Sequence, residues 1–120
     1  MAKRVLIVDD SLTIRMYHKQ LLTKEGFECE EAENGMEALE KSQMKPYDLF
    51  LVDINMPIMD GYSFTKKLRE ENNLTPVVMV STESELKDKE LGYKSGASMY
   101  LVKPASPKEL AFISKILLKE

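Results

Sequence analysis

Five short runs rich in apolar and β-branched residues begin near Arg4, Glu28, Leu49, Val77 and Met99, and the segments between them carry apolar residues at helical spacing. Strands that alternate with helices pair in parallel, because each crossover helix returns the chain to the same edge of the sheet. The pattern predicts an α/β fold: a doubly wound, five-stranded parallel sheet of the (βα)5 kind, with helices on both faces. At 120 residues it predicts one domain, 1–120, with no output domain.

Composition narrows the function classes. A formal net charge of −3 and the lack of a basic run give no reason to expect nucleic acid or an anionic membrane as partner. Cys29 is the only cysteine and has no partner for an internal disulfide. No apolar stretch approaches the roughly 20 residues that span a bilayer, and Met1-Ala2-Lys3-Arg4 is too short for a signal peptide, so a cytoplasmic protein is expected.

The helices announce their ends. The first is predicted over about Leu12 to Lys24, capped by Ser11, with Ile14, Tyr17 and Leu21 on its inner face and Gly26 just past it. His18 lies in this helix without a second histidine or a cysteine to complete a metal site, and is read as structural. The second strand, Glu28 to Ala32, has few large apolar residues and suits a sheet edge. Asn34 then caps a helix that carries Ala38 and Leu39 inward and stops near Gln43. After the third strand comes Met56-Pro57-Ile58-Met59-Asp60-Gly61, where Gly61 offers a positive φ, and a helix over Tyr62 to Glu70 that buries Phe64 and Leu68.

The fourth helix, Ser84 to Lys94, is the poorest, because only Leu86, Leu91 and Tyr93 are large and apolar and Gly92 weakens the turn they share; it is expected to be either the most mobile helix or simply a well-solvated surface one. The last is marked by the capping box Ser106-Pro107-Lys108-Glu109, with Leu110, Ile113 and Leu117 inward and Phe112 and Ile116 widening that face.

The strand ends carry the chemistry. Val5-Leu6-Ile7-Val8 runs into Asp9 and Asp10, Leu49-Phe50-Leu51-Val52 into Asp53, Val77-Val78-Met79-Val80 into Ser81, and Met99-Tyr100-Leu101-Val102 into Lys103. In a doubly wound sheet these ends share one edge, where sites form. Carboxylates brought that close call for a bound cation, and Mg²⁺ suits their hard oxygens. Asp or Ser after a strand often does no more than cap a helix, and a lone Lys is usually solvated. Capping does not readily explain such groups at four strand ends on one edge. A cation site, a carboxylate nucleophile, a hydroxyl donor and a fixed positive charge are the parts needed to move a phosphoryl group onto Asp53.

The set Asp9-Asp10, Asp53 followed by Met56-Pro57 and Asp60-Gly61, Ser81, and Lys103-Pro104 resembles, over the whole chain, the receiver domain of two-component response regulators, in particular the stand-alone chemotaxis type. The resemblance implies a flavodoxin-like fold with strand order 2-1-3-4-5. It implies that Asp53 is the phosphoacceptor, taking its phosphoryl group from a sensor histidine kinase or phosphotransfer protein. Mg²⁺ would be held by Asp10, Asp53 and the backbone carbonyl of Asn55, with Asp9 acting through water. Lys103 and Ser81 would contact the phosphoryl oxygens, and Tyr100 would be the switch aromatic that turns inward as the Ser81 loop moves. Asn55 and Glu83 would tune the phosphoryl lifetime and Thr82 the access to it. Ala105 stands where many receivers carry phenylalanine, which puts the packing of that loop against the last helix in question.

The resemblance further implies a monomer that is a phosphoacceptor rather than an enzyme in the ordinary sense, promoting its own phosphorylation and dephosphorylation. It would signal to a downstream protein through the fourth helix, fifth strand and fifth helix. Two other readings use the same residues. A Mg²⁺-dependent phosphohydrolase with an aspartyl-phosphate intermediate is disfavoured by Asn55, which leaves no general acid two residues past Asp53. A phosphorylation-independent adaptor is disfavoured by the complete acid set. Neither Gly-x-Gly-x-x-Gly nor a Walker motif is present to suggest nucleotide binding.

Overall fold

The computed structural model describes residues 3–82, 86–103 and 105–118. Five strands, β1 (Arg4–Val8), β2 (Glu28–Ala32), β3 (Leu49–Asp53), β4 (Val77–Ser81) and β5 (Met99–Val102), alternate with five helices. The helices are α1 (Leu12–Lys24), α2 (Gly35–Met44), α3 (Gly61–Glu70), α4 (Leu86–Ser95) and α5 (Pro107–Leu117). All strand pairings are parallel, in the order β2-β1-β3-β4-β5, so the expected architecture is the observed one and the charged strand β2 lies at an edge.

Side chains alternate across a strand, and the interior strands are apolar on both faces, so the sheet carries two cores. Val5, Ile7, Leu49, Leu51, Val78, Val80 and Leu101 point to one side, where Leu22 of α1 and Leu110 and Ile113 of α5 cover them. Leu6, Val8, Phe50, Val52, Val77, Met79 and Tyr100 point to the other, beneath Ala38, Leu39, Phe64 and Leu68 of α2 and α3. Phe64 meets Phe50 edge to face with ring centroids 5.4 Å apart, a favoured aromatic geometry.

The caps are those the sequence marks. Ser11 accepts from the Ile14 amide, Asn34 from Glu37, and Ser106 with Glu109 closes a reciprocal capping box. Asp60 caps α3 in the same way, accepting from the Ser63 amide at 2.7 Å.

The helix faces correct the sequence reading in two places, on α1 and α5. On α1 the buried residues are Arg15, His18 and Leu22, whereas Ile14 and Leu21 are only half-buried and Tyr17 is exposed. The face is turned by one residue because Arg15 has partners inside: its Nη1 donates to the Asp9 carbonyl at 2.7 Å and its Nε to Glu31 at 2.9 Å. On α5, Phe112 and Ile116 do not widen the inner face but stand 65% and 53% exposed. On α4, Leu91 and Tyr93 are exposed and Gly92 is buried; the expected start of this helix at Ser84 lies outside the described residues. Ala105, by contrast, is buried in the core shared with α5, so the loop packs there without an aromatic ring.

The loop between β3 and α3 differs as well. Gly61 does not take the positive φ; Ile58 does, at 71°, with the Met59 amide donating back to the Pro57 carbonyl at 2.7 Å. A β-branched residue at the centre of such a tight turn is strained. Its side chain is exposed, so no burial offsets that strain. Ile58→Gly is therefore expected to stabilise the chain by about 0.5–1 kcal/mol, the relief of positive φ less glycine's greater freedom when unfolded. A urea midpoint that falls instead would mean that the Ile58 side chain supports the loop.

Candidate functional site

Asp9, Asp53 and Lys103 converge because they continue the same alternation. Asp9 follows Ile7, Asp53 follows Leu51 and Lys103 follows Leu101, each two residues on from a side chain of the α1/α5 face. The strand register brings the three ends together at the carboxyl edge of β1, β3 and β5. Lys103 Nζ lies 3.1 Å from both Asp9 Oδ2 and Asp53 Oδ1. Asp9 and Asp53 are buried, Asp10 is exposed, and one carboxylate oxygen from each falls within 4.8 Å of the others.

Each carboxylate is fixed differently. Asp9 Oδ1 accepts from the Ser11 amide at 2.9 Å, so it also shapes the turn into α1. Asp53 is seated by the next loop, where the Gly61 amide donates to the Ile54 carbonyl at 2.9 Å and α3 begins directly beneath. Burial pushes the Asp53 carboxyl above its ordinary range, the Asp9 charge pushes it the same way, and Lys103 opposes both. Burial works against the Lys103 charge, but the Asp53 and Asp9 carboxylates outweigh it and hold the ammonium above its usual range.

His18 is buried on α1, as a structural histidine should be, and burial lowers its pKa although the Asp9 charge pulls the other way. Burial and the Lys103 charge therefore favour its neutral form.

The remaining predicted residues differ in where they stand relative to this cluster. Ser81 is buried at the end of β4, one position beyond the register partner of Asp53, and the Lys103 amide donates to its carbonyl at 2.7 Å. Asn55 and Thr82 are exposed at the mouth. Glu83 lies outside the described residues. Tyr100 is 7% exposed and points to the opposite sheet face from Lys103, toward α4. The sequence reading missed Arg15, whose guanidinium holds the Asp9 carbonyl, and the close approaches at Gly61 and Gly35. A Cβ on Gly35 would sit 2.7 Å from the Met59 carbonyl oxygen, so glycine is what lets α2 meet the acceptor loop.

Three carboxylates face one ammonium, which leaves the cluster with excess negative charge and a set of hard oxygen donors. Comparison with known proteins gives this geometry its context. The family model of the response regulator receiver domain matches residues 5–114. The chain belongs to the response regulator receiver family.

This receiver is 41% identical, over 99% of its length, to the transcriptional regulatory protein SrrA of Staphylococcus aureus, and spans about half (49%) of SrrA's own length. Among solved structures, chemotaxis protein CheY4 of Vibrio cholerae superposes with a TM-score of 0.92 at 38% identity, covering 98% of this chain and 100% of that one. The receiver domain of Francisella response regulator 1452 gives a TM-score of 0.93 at 37% identity, covering 98% and 97%. The flavodoxin-like fold and a part in phosphorylation-based signalling follow from membership.

Proposed function

We propose that this receiver accepts a phosphoryl group on Asp53 from a phosphohistidine of a sensor histidine kinase or phosphotransfer protein and passes the signal to a downstream protein. The observation that carries the reading is the placement of Lys103 Nζ 3.1 Å from both Asp9 and Asp53, inside a cluster of three carboxylates. It puts a fixed cation beside a nucleophile that burial and Asp9 keep from being a passive surface charge.

The donor set fits Mg²⁺, with Asp9, Asp10, Asp53 and the backbone carbonyl of Asn55 as the residues that would hold it. When bound, Mg²⁺ would offset the charge of the incoming phosphoryl oxygens. The other roles belong to the chain. An Asp53 carboxylate oxygen forms the new bond to phosphorus as the phosphorus–nitrogen bond to the donor imidazole breaks, and the freed imidazole keeps the electron pair and takes up a proton. Lys103 then turns from the carboxylates to a phosphoryl oxygen, and the Ser81 hydroxyl donates to another. Asn55 and Glu83 would tune the rate at which water later hydrolyses the acyl phosphate, and Thr82 the access to it.

Phosphorylation adds about −1.5 to −2 charge, and the new contacts favour a state in which the Ser81 loop has moved toward Asp53 with Tyr100 inward. Exposed Leu91 and Tyr93 on α4 and Phe112 and Ile116 on α5 supply apolar contacts for a protein target on the α4/β5/α5 face. A receiver acting alone in the cytoplasm as a monomer, with neither nucleic acid nor membrane as its own ligand, completes the proposal. The match to the whole CheY4 chain supports a receiver acting alone, although the more similar SrrA is about twice as long.

Intact mass after incubation with acetyl phosphate, with and without Mg²⁺, tests the reading against Asp53→Asn. A single phosphoryl adduct that requires Mg²⁺ and is lost in the variant is expected. Donor turnover without a trappable adduct would favour a hydrolase, and neither adduct nor Mg²⁺ binding would favour an adaptor.

A further inference from the structure

We propose that Gly92 is a positioning residue for Tyr100, and that its missing side chain sets the resting balance of the switch. The regulatory half of this inference rests on the receiver reading above; the packing half does not. Gly92 is buried in α4 between exposed Leu91 and Tyr93. A Cβ built on it would stand 3.0 Å from Tyr100 Cδ2, 3.4 Å from Cε2 and 3.2 Å from Met79 Sδ. A side chain at 92 therefore requires the Tyr100 ring, with the Met79 sulfur beside it, to give by a few tenths of an ångström. Met79 on β4 is the register partner of Tyr100 on β5, so the ring is wedged between a neighbouring strand and the helix above it.

The helix is not free to lift away. The Tyr62 hydroxyl donates to the Asp88 carbonyl at 3.1 Å, one turn before Gly92. One turn after it, Arg69 grips the Gly96 carbonyl with both Nε, at 3.1 Å, and Nη2, at 2.8 Å. With α4 tied on either side, an added Cβ displaces the ring rather than the helix. Glycine disfavours the middle of a helix, so its place in α4 calls for a packing reason, and the inward ring supplies one. The consequence is regulatory. Tyr100 is buried in this structure, and crowding of its ring by a side chain at 92 would shift the balance between inward and outward positions.

The test is a cycle of Gly92→Ala, Tyr100→Ala and the double variant in the full chain, read as urea midpoints. It is paired with ¹⁹F spectra of 3-fluorotyrosine-labelled protein in which Tyr100→Phe assigns the Tyr100 signal. Gly92→Ala should lower the midpoint when Tyr100 is present and raise it when Tyr100 is alanine, because only helix propensity is then left. In Gly92→Ala the solvent isotope shift of the Tyr100 signal should increase toward that of an exposed ring, and acetyl phosphate should reverse the change. Should Gly92→Ala alone fail to fold, its recovery in the Tyr100→Ala background supports the proposal. An equal effect of Gly92→Ala in both backgrounds, or an unmoved Tyr100 signal, overturns it. Absence of a phosphoryl adduct in the wild type would instead sink the receiver reading, and the cycle and the unmodified spectra would still decide the packing.

Discussion

Lys103→Ala is expected to destabilise the unmodified chain by about 3 kcal/mol near neutral pH, the usual scale for leaving a buried charge without its partner. Lys103 is the cation at 3.1 Å from both Asp9 and Asp53, whose side chains are only 4% and 8% exposed. Removing the ammonium leaves two buried carboxylates facing each other, with exposed Asp10 beside them. The pH dependence has a definite sign. The folded-state pKa of Asp53 already lies above its unfolded value of 3.8, so its charged form is disfavoured in the fold and it costs stability as pH rises through that window. Without Lys103 the pKa rises further, and the deficit of the variant should grow from pH 5 to pH 7.5.

Lys103 itself has a raised folded-state pKa, so its contribution in the wild type persists at neutral pH and is lost only as pH rises above the ordinary lysine range. If Mg²⁺ binds the native cluster and not the unfolded chain, at about 100 times its dissociation constant it would return roughly 2.7 kcal/mol. Urea unfolding of wild type and variant at two pH values, each with and without Mg²⁺, measures all of this. A loss that is the same at both pH values and indifferent to Mg²⁺ would show that Lys103 acts by packing alone.

The strands and the acid edge were legible in the sequence because each depends on local pattern. A run such as Leu49-Phe50-Leu51-Val52 needs burial on both faces, and only an interior parallel strand supplies it. The polar residue that ends each run then falls on the functional edge whatever the helices do. Ser11, Asn34 and Ser106 were equally readable, since a cap acts on amides three residues away.

What escaped the sequence depends on partners distant along the chain. Arg15 is read as a surface residue until the Asp9 carbonyl and Glu31 are in place to receive it, and its burial turns the whole of α1. Phe112 and Ile116 extend the apolar stripe of α5 past the width the sheet can cover, so they remain outside. Glycines misled the reading most. Gly92, besides weakening its turn, marks the approach of a ring from the next strand, and Ile58 takes the strained φ that seemed assigned to Gly61.

Gly61→Ala follows from that last correction, and it should remove phosphorylation without touching an acidic residue. A Cβ at this position would lie 2.5 Å from the Asp53 carbonyl oxygen, 3.0 Å from Ile54 Cα and 3.2 Å from the Asp53 carbonyl carbon. All three atoms are backbone, so no rotamer relieves the contact. The loop cannot give way cheaply, because the Gly61 amide is bonded to the Ile54 carbonyl, Asp60 caps α3 and the Met59 carbonyl is held by the Gly35 amide. Either α3 moves outward, opening the core around Phe64, or the end of β3 twists and carries Asp53 away from Lys103. Overpacking of this kind costs about 3 kcal/mol, and the second response also misplaces the nucleophile. Gly26→Ala provides the comparison: Gly26 has φ 94° but nothing within 4 Å of the added Cβ. It should cost only the left-handed backbone penalty of about 1 kcal/mol and leave the adduct with acetyl phosphate intact. If Gly61→Ala folds with wild-type stability and is phosphorylated at the wild-type rate, the acceptor does not depend on the close seating of α3 beneath it.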